Sequence, residues 1–437
     1  MNAINVGLLG IGTVGGGTFT VLTRNQQEIS RRLGRPIRIV KVADRNLPLA
    51  REVTKGAVEV TDDAFSVVDD ANIDIVVELI GGTTIAKALV LKAIANGKHV
   101  VTANKALLAL HGNEIFAAAQ KEGVMVAFEA AVAGGIPIIK AVREGLSANR
   151  IEWIAGIING TTNFILSEMR EKGSAFADVL KEAQRLGYAE ADPTFDVEGI
   201  DAAHKLMILA AIGFGIPMQF DKAYTEGITK LESKDIRYAE ELGYRVKLLG
   251  ITKRSAEGVE LRVHPTLIPE KRLVANVNGA MNAVLVKGDA VGPTLYFGAG
   301  AGAEPTASAV IADLIEVARM ASVSVEQRVP YLAFQPDQFL NLAILPISEI
   351  NSSYYLRMRA MDKPGVLADV TRILGDRSIS IDAMMQKEPA ESETEADIVI
   401  LTHITVEKNM NQAIAAIEGL PAIVGKIMRI RMEELNK

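Results

Sequence analysis

The sequence predicts an α/β protein of three domains: a doubly wound parallel sheet at the N-terminus, an α+β region in the middle and a ferredoxin-like unit at the C-terminus. Three observations predict this. A glycine-rich turn follows the first apolar segment, apolar runs then alternate with amphipathic ones up to about residue 134, and residues 353–433 show a β-α-β-β-α-β pattern. At 437 residues the chain is too long for one ordinary core, which agrees with several domains.

Composition excludes several classes of function. The net charge is −6 and no Lys/Arg-rich stretch stands out, so we expect no nucleic-acid partner. The chain has no cysteine, which excludes disulfides, thiolate metal sites and a thiol nucleophile, and fits a reducing compartment. The longest apolar run, Leu206–Met218, is shorter than the roughly 20 residues that span a bilayer, and the first residues indicate a strand rather than a signal peptide. We expect a cytoplasmic protein without a membrane partner.

The N-terminal segment INVGLLGIGTVGGG predicts a dinucleotide site. An apolar strand precedes Gly10, Gly12 and Gly15, which have G-x-G-x-x-G spacing, and a helix is predicted over Thr18–Arg32. Such glycines allow a tight turn, close approach of a pyrophosphate and close packing of helix on strand, with the helix N-terminus facing the phosphates. The pattern predicts a Rossmann-type domain over residues 1–134, with phosphate contacts from Gly10, Gly12, Thr13, Val14 and Gly15.

The second predicted strand, IRIVKVADRN, ends in two residues that favour different cofactors. Asp44 suits the ribose 2′-hydroxyl of NAD, whereas Arg45 suits the 2′-phosphate of NADP. Because both lie at the same strand end, the sequence leaves both cofactors open, with NADP slightly favoured.

Two later strands of this domain end in charged residues. The segment IDIVVELIGG predicts a buried strand, IAKALVLKAIANG a helix that ends at Gly97, and KHVVTANK a strand that ends just before Lys105. Ligands bind at the carboxyl ends of strands in open α/β sheets, so Lys105 is a candidate for the ligand crevice. The alternative is a solvated surface charge. VMVAFEAAVAGG repeats the pattern and places Glu129 at a strand end.

In the middle region, residues 135–304, the regular alternation weakens. IEWIAGIINGTTNFILSEM predicts a strand, a polar turn at Asn159, Gly160 and Thr161, and a helix. The N–H groups of the turn suit a carboxylate, although a simple helix cap at Thr161 or Thr162 is the alternative.

The segment GYAEADPTFDVEGIDAAHK concentrates acidic residues around one lysine. Glu190 and Asp196 lie around a predicted turn, DPTFD, while Asp201 and Lys205 share a face of the helix predicted from Ile200. One alternative is an exposed loop with a weak surface ion pair. The helix is apolar enough to be buried, however, and half-buried charges need partners. Carboxylates beside one lysine suit a substrate with an ammonium group and a reducible carbonyl, with the lysine transferring the proton.

A second glycine-rich loop runs from Gly298 to Gly302 and is expected to open a helix at Pro305 or Thr306. It is another place where backbone approaches a phosphate or the nicotinamide. The helix over residues 305–325 is expected to complete the first domain, and residues 326–352 to form a linker.

The C-terminal pattern resembles the ACT domain, a small-molecule sensor that usually binds amino acids between paired copies. DKPGVLADV puts Asp362 in the turn from the first strand to the first helix, with Pro364 opening the helix. The candidate effector residues are Asp362 and Gly365. A pure dimerisation module is the alternative.

Taken together, the motifs resemble the homoserine dehydrogenases of the long type that end in an ACT domain. The resemblance covers nearly the whole chain and lies in GLLGIGTVGGG, VVTANKALLA, FEAAVAGGIPII, GIINGTTNFIL, GYAEADPTFDVEGIDAAHKL and FGAGAGAEPTASAV. It implies reversible reduction of L-aspartate 4-semialdehyde to L-homoserine with NAD or NADP, in threonine, methionine and isoleucine biosynthesis. The chain lacks the aspartate kinase half that some relatives carry, which indicates a monofunctional enzyme.

The resemblance also implies roles for individual residues. Lys205 would donate the proton to the aldehyde oxygen, Asp201 would orient and tune it, and Lys105 would lie near nicotinamide and substrate as a rival acid/base. The implied substrate-binding residues are Gly160, Thr161, Glu190 and Asp196. The implied site for sodium or a similar monovalent cation consists of the Glu129 carboxylate and the backbone oxygens of Val132, Gly134 and Ile136.

For the tail, the resemblance implies feedback control by L-threonine, with lysine, methionine or no ligand as alternatives. We expect a homo-oligomer, either a dimer or a tetramer. An aspartate semialdehyde dehydrogenase would need a nucleophilic cysteine, which the chain lacks. A phosphoglycerate-dehydrogenase-like enzyme would carry its dinucleotide motif in mid-chain, and a non-catalytic sensor would bind cofactor without turnover.

Overall fold

The structure is a computed structural model that describes residues 3–387 and 394–435. The first part of the chain alternates strands and helices in this order: β1 (Ile4–Leu9), α1 (Thr13–Arg24), α2 (Gln26–Leu33), β2 (Ile37–Ala43), α3 (Leu47–Thr54), β3 (Glu59–Thr61), α4 (Phe65–Val68), β4 (Ile75–Glu78), α5 (Thr84–Ala95), β5 (His99–Thr102), α6 (Lys105–Glu122), β6 (Val126–Ala127) and α7 (Ile138–Lys140).

The remaining elements are less regular in their alternation. The middle of the chain contains β7 (Ile151–Ile157), α8 (Gly160–Lys172), α9 (Phe176–Arg185), α10 (Thr194–Val197), α11 (Ile200–Phe214), β8 (Tyr224–Thr225), α12 (Ser233–Glu241), β9 (Tyr244–Arg254), β10 (Val259–Pro269), β11 (Met281–Gly288), β12 (Gly292–Ala299) and α13 (Ala303–Met320). The last part contains β13 (Asn351–Met361), α14 (Val366–Gly375), β14 (Ile381–Gln386), β15 (Glu395–Thr402), β16 (Thr405–Val406), α15 (Glu407–Glu418) and β17 (Ile423–Met432).

The chain divides into two compact units. The first comprises residues 1–160, 201–223 and 280–342, and the second comprises residues 161–200, 224–279 and 343–437. These ranges cut across the predicted domain order, because α11, β11, β12 and α13 join the N-terminal unit. The domain boundaries expected from the sequence remain a prediction.

A parallel sheet of order β3-β2-β1-β4-β5-β6 forms the centre of the first unit. The register pairs Val6 with Ile39 on one side and with Ile75 on the other. Chain order reverses between β1 and β4, which is the switch point where such sheets bind ligands. The core combines β1, β2, β4, α1 and α13, so the helix expected to complete the first domain does pack there. The predicted Rossmann-type fold is confirmed.

The predicted first helix, Thr18–Arg32, is wrong at its start and in its continuity. The helix begins at Thr13, directly after Gly12, and Asn25 separates it from α2. Glycine is a poor helix former, yet Gly15 and Gly17 lie inside α1 because close packing there excludes a side chain. A break at Asn25 agrees with the tendency of asparagine to favour helix ends.

The second glycine-rich loop also differs from expectation. Gly298 lies within β12 instead of the loop, because Asn282 and Gly298 are register partners across β11 and β12. The following helix begins at Ala303 rather than at Pro305 or Thr306, with Gly302 as its N-cap. Proline fits the first turn of a helix, so Pro305 does not mark the helix start.

In the second unit, the strands lie in the order β9-β10-β17-β13-β15-β14. The last four of these, with α14 and α15, form the predicted ferredoxin-like unit, and Tyr354, Leu356, Val370 and Ile400 belong to its own core. Its edge strand β17 pairs in parallel with β10 through Thr266 and Arg431. Arg431 is buried and donates to Glu407 within the ferredoxin-like unit and to Glu226 outside it at 2.8 Å, so main-chain pairing and an ion pair both attach this unit to the rest of the second unit. Within the described residues, no helix is long and apolar enough to cross a membrane.

Candidate active site

The first glycine loop connects β1 to α1 and has the geometry of a phosphate loop. Gly10 has a φ of +93°, and a Cβ there would lie 2.7 Å from Leu79 O. A Cβ on Gly15 would lie 2.0 Å from Gly10 O, whereas a Cβ on Gly12 would meet nothing within 4 Å. The turn and the helix packing therefore require Gly10 and Gly15, while the open space at Gly12 lets a pyrophosphate approach the backbone.

The N-terminus of α1 supplies hydrogen-bond donors at this loop. Gly16 N–H makes the first helical bond, to Gly12 O at 2.8 Å. The N–H groups of Thr13, Val14 and Gly15 therefore precede the helical hydrogen-bond ladder, as at any helix start. Such donors, with the helix dipole, suit an anionic phosphate. The residues present fit a dinucleotide.

The loop at Gly302 lies against α1. Gly302 has a φ of +125°, and a Cβ on Gly17 would lie 2.4 Å from Ala303 O. Arg24 and Glu304 join the same two helices with a bidentate ion pair. The structure therefore places the start of α13 beside the phosphate-binding helix, and leaves Gly298 in a strand.

Asp44 and Arg45, the two predicted cofactor selectors, differ in their surroundings. Asp44 Oδ2 accepts from Ile11 N–H at 2.7 Å and Oδ1 accepts from Asn46 N–H at 2.7 Å. Arg45 is exposed, and it makes no hydrogen bond or ion pair to any residue that the structure describes. Asp44 thus shapes the glycine loop, while the guanidinium at the strand end faces solvent.

Lys105 is the first residue of α6, just beyond β5, as predicted. Asn104 caps that helix by accepting from Leu107 N–H at 3.0 Å, and its amide donates to Gly82 O at 2.7 Å. Buried Glu78, at the end of β4, accepts from Thr102 Oγ1 at 2.7 Å. Sequence reasoning missed Asn104 and Glu78, although a carboxylate at the end of a buried strand, three residues before a glycine pair, is a usable signal. Together they fix the loops that carry Lys105.

Asp201 holds two lysines from different parts of the chain. Its Oδ2 lies 2.7 Å from Lys205 Nζ on the same helix, and its Oδ1 lies 3.2 Å from Lys105 Nζ. Lys205 Nζ also donates to Ile158 O at 2.8 Å, and Asn159 Nδ2 donates to Asp201 Oδ2 at 2.8 Å. The structure thus brings together the three predicted catalytic residues, Lys105, Asp201 and Lys205. It adds Asn159, which the sequence had placed in a polar turn.

Burial and the attraction between opposite charges together determine the pKa of Asp201 in this cluster. Burial alone would raise the pKa of Asp201, but Lys205, Lys105 and the hydrogen bonds outweigh it and hold that pKa well below its ordinary value. Side-chain exposure is 5% for Asp201, 12% for Lys205 and 35% for Lys105. Burial also lowers the pKa of neighbouring His204 to about 4, so this imidazole is neutral near neutral pH.

The other predicted substrate-binding residues lie in different structural environments. Gly160 begins α8 and a Cβ there would lie 2.7 Å from Ala280 O, so the predicted NGTTN turn is in fact the first helical turn. In the second unit, Thr161 Oγ1 donates to Tyr188 O at 2.7 Å. Glu190 is exposed, and Asp196 lies in α10, a one-turn helix where a plain turn was predicted. The aspartate-rich segment caps this turn itself, since Asp192 Oδ1 accepts from Thr194 N–H.

The loop after β6 has the oxygen donors that a monovalent cation requires. Glu129 is buried, its two oxygens accept from Ile139 and Lys140 N–H, and burial raises its pKa. Ala133 has a φ of +55° and Gly134 a φ of +53°, and a Cβ on Gly134 would lie 2.4 Å from Gly300 O. Such consecutive left-handed residues are costly and are found at functional loops. The set fits a hard cation, although no group of three or more His, Asp or Glu side chains among the described residues could hold a metal ion.

In the C-terminal unit, Asp362 follows β13 and accepts from Gln386 Nε2 at 3.3 Å. Gly365 has a φ of +94° and is the N-cap of α14, so the helix begins at Val366 and not at Pro364. The two predicted effector residues thus lie together in one strand-to-helix turn.

A glycine loop at the switch point of a parallel sheet, with a lysine–aspartate–lysine cluster in the same compact unit, defines a class: a nicotinamide-dependent oxidoreductase. Comparison with known proteins agrees. Family models match in three places, "Homoserine dehydrogenase, NAD binding domain" at residues 10–129, "Homoserine dehydrogenase" at 137–315 and "ACT domain" at 354–422.

Individual relatives match over all or most of the chain. A homoserine dehydrogenase of Pseudomonas aeruginosa is 64% identical over 436 residues, with 100% of both chains covered. A crystal structure of a homoserine dehydrogenase from Thiobacillus denitrificans is 70% identical, with a TM-score of 0.95 over 100% of this chain and 99% of that one. A hyperthermophilic archaeal homoserine dehydrogenase in complex with NADPH is 25% identical, with a TM-score of 0.62 over 74% of this chain and 99% of that one.

The chain belongs to the homoserine dehydrogenase family. It is an NAD(P)-dependent oxidoreductase with a C-terminal ACT domain, which confirms the predicted enzyme class and fold.

Proposed function

We propose that Lys205 donates the proton to the aldehyde oxygen when L-aspartate 4-semialdehyde is reduced to L-homoserine, and removes it in the reverse direction. The observation that carries this proposal is the placement of Lys205 Nζ by two acceptors, Asp201 Oδ2 at 2.7 Å and Ile158 O at 2.8 Å. A half-buried ammonium held in this way has a defined position for proton transfer. When bound, the reduced nicotinamide supplies hydride to the carbonyl carbon.

Lys105 has a different proposed role, which is to position substrate beside the cofactor. It lies 3.2 Å from Asp201 Oδ1, but its side chain is more exposed than that of Lys205. One carboxylate therefore fixes both ammonium groups, through one oxygen each. Lys105 remains the alternative proton donor, and separate substitutions of the two lysines distinguish them.

For the substrate, Glu190 and Asp196 are proposed to bind the ammonium group, and Gly160 and Thr161 to contact the remaining polar groups. Two exposed or half-exposed carboxylates provide the negative charge that an amino acid requires. The Glu129 carboxylate, with the backbone oxygens of Val132, Gly134 and Ile136, is the proposed site for sodium or a similar cation.

The proposed cofactor is NADP rather than NAD. Both oxygens of Asp44 accept backbone N–H groups, whereas Arg45 is exposed at the end of β2. An arginine at this place suits a 2′-phosphate, and a carboxylate already bonded to two donors is a weaker partner for a ribose hydroxyl. The relative in complex with NADPH agrees with this preference.

Arg45→Ala should raise the KM for NADPH by about tenfold, the equivalent of about 1.4 kcal/mol, and leave the KM for NADH nearly unchanged. The reason is loss of a charge-assisted contact that only NADPH makes. Arg38→Ala is the matched control, since Arg38 is exposed near the opposite end of the same strand. Equal effects of Arg45→Ala on both cofactors would contradict the assignment.

The ACT domain is proposed to bind L-threonine and to reduce activity, with Asp362 and Gly365 in the effector site. A turn with one carboxylate and a left-handed glycine offers a partner for an ammonium group and free backbone donors for a carboxylate. The proposed assembly is a dimer or tetramer, and the proposed compartment is the cytoplasm, where the amino-acid substrates are metabolised.

Asp362→Ala should abolish threonine inhibition and leave turnover without threonine within about twofold of the wild type, because the residue lies outside the catalytic cluster. The measurement is the decrease of NADPH absorbance with L-aspartate 4-semialdehyde, with and without L-threonine. Asp376→Ala is the control, because Asp376 is exposed at the other end of α14. Retained inhibition in Asp362→Ala would remove this residue from the effector site.

The same assay, run with NADPH and NADH in parallel, tests the proposed function as a whole. We expect turnover with both and a higher kcat/KM with NADPH. A folded protein that binds cofactor without turnover would contradict the proposal and favour a non-catalytic sensor.

A further inference from the structure

Two helices bear the lysine–aspartate–lysine cluster. Lys105 is the first residue of α6, which has 18 residues, while Asp201 and Lys205 lie in α11, which has 15. An α-helix of 18 residues is about 27 Å long and nearly rigid. The distances within the cluster therefore depend on how the far ends of the two helices are held.

A segment from Arg328 to Leu340, here named the strap, holds the far end of α6. Arg328 Nη1 donates to Gly123 O at 2.8 Å, directly after the last helical residue. The Tyr331 hydroxyl donates to Val124 O, and the Tyr331 ring stacks on Phe116 with centroids 5.6 Å apart and planes 17° apart. The strap thus fixes the Gly123 carbonyl at the end of α6 and the Phe116 side chain within that helix.

The strap also holds the far end of α11. Gly215, which follows that helix, has a φ of +64°, and a Cβ there would lie 2.8 Å from Cγ of Phe334. Leu340 N–H donates to Gly215 O at 2.8 Å. The Phe334 ring therefore packs flat on a position that only glycine can occupy.

The middle of α6 also contacts the segment that follows α11. Asn113 Nδ2 donates to Met218 O at 3.0 Å, and Met218 N–H donates to Asn113 Oδ1 at 3.0 Å. An open pocket of about 360 Å³ lies between the strap and α6, with Phe116, Tyr331 and Phe334 among its walls.

We propose that the strap sets the separation of Lys105 from Asp201 and Lys205, and that Phe334 is a positioning residue for proton transfer. The proposal rests on the proposed catalytic role of the cluster.

Phe334→Ala in the full-length protein should lower kcat by at least tenfold and leave the dissociation constant for NADPH unchanged, because small misplacements of catalytic groups reduce rates strongly. Phe334→Leu should restore part of kcat. Phe65→Ala is the matched control, as Phe65 is 40% exposed and Phe334 is 36% exposed.

A double-mutant cycle separates positioning from mere stability. Lys105→Ala should reduce kcat by a smaller factor in the Phe334→Ala background than in the wild type, since coupled residues are not additive. Independent, multiplicative effects of the two substitutions on kcat would overturn the proposal. A kcat loss in Phe334→Ala no larger than that in Phe65→Ala would also overturn it. So would a kcat loss in Phe334→Ala equal to the unfolded fraction that circular dichroism measures. Full turnover in Lys205→Ala would instead overturn the proposed function, whatever Phe334→Ala does.

Discussion

Lys205→Ala should lose turnover by a factor of about 10²–10⁴ and keep its affinity for NADPH. A positioned general acid contributes about that factor, and the lysine lies in the cluster with Asp201 rather than in the glycine loop proposed to bind phosphate. Steady-state rates in both directions, with cofactor binding measured by nicotinamide fluorescence, check the prediction. The loss should appear in kcat more than in KM, because proton transfer belongs to the chemical step.

The control for this substitution is another buried lysine of the same unit. Lys98 is 5% exposed and donates to Asp70 O at 2.6 Å and Ile73 O at 2.9 Å. Lys98→Ala should cost stability and leave kcat of the folded fraction intact. If Lys205→Ala turns over normally while Lys105→Ala does not, the proton donor is Lys105.

Asp201→Asn should affect both stability and turnover. The substitution leaves Lys205 and Lys105 without their shared anion in a site where the carboxylate is 5% exposed. Breaking a buried ion pair by removing one partner costs about 3–5 kcal/mol. Urea unfolding at neutral pH measures this cost, and kcat should fall because the position of the Lys205 ammonium is no longer fixed.

The stability difference should also depend on pH. The pKa of Asp201 is depressed in the folded protein, so its contribution is fully present above the unfolded value of about 3.9 and is lost as pH falls towards the folded value. The free energy of unfolding of the wild type should therefore exceed that of Asp201→Asn most at neutral pH. The two values should converge under acid conditions.

Asp235→Asn provides the comparison for Asp201→Asn. Asp235 is fully buried and pairs with Arg357 at 2.5 Å in the second unit. It should show a comparable stability loss with kcat of the folded protein preserved. A stability loss in Asp201→Asn without loss of kcat would mean that the carboxylate is structural only.

Spacing within one element made part of the site predictable. Asp201 and Lys205 are four residues apart on an apolar helix, and their contact follows from helix geometry alone. The strand-to-helix rule likewise placed Lys105 at the start of α6. The contact of Lys105 with Asp201 joins positions 96 residues apart, so only the tertiary fold shows it.

Other features had no local signal. Gly15 and Gly17 lie inside a helix because the chain packs closely against them, which overrides their low helix propensity. Asn159 belongs to the predicted polar turn and donates a hydrogen bond to Asp201. This contact depends on where α11 packs. The strap appears in the sequence as a linker with scattered aromatic residues, and only the packing of Phe334 on Gly215 shows what it holds.

The most direct test of the central claim is amine rescue of Lys205→Ala. Single-turnover reduction of L-aspartate 4-semialdehyde by NADPH should be slow in this variant and should rise in a saturable way with added methylamine, since a small ammonium ion can replace the missing proton donor. Lys105→Ala measured in parallel should gain little. No rescue of Lys205→Ala at any methylamine concentration, together with clear rescue of Lys105→Ala, would contradict the assignment of Lys205 as the proton donor.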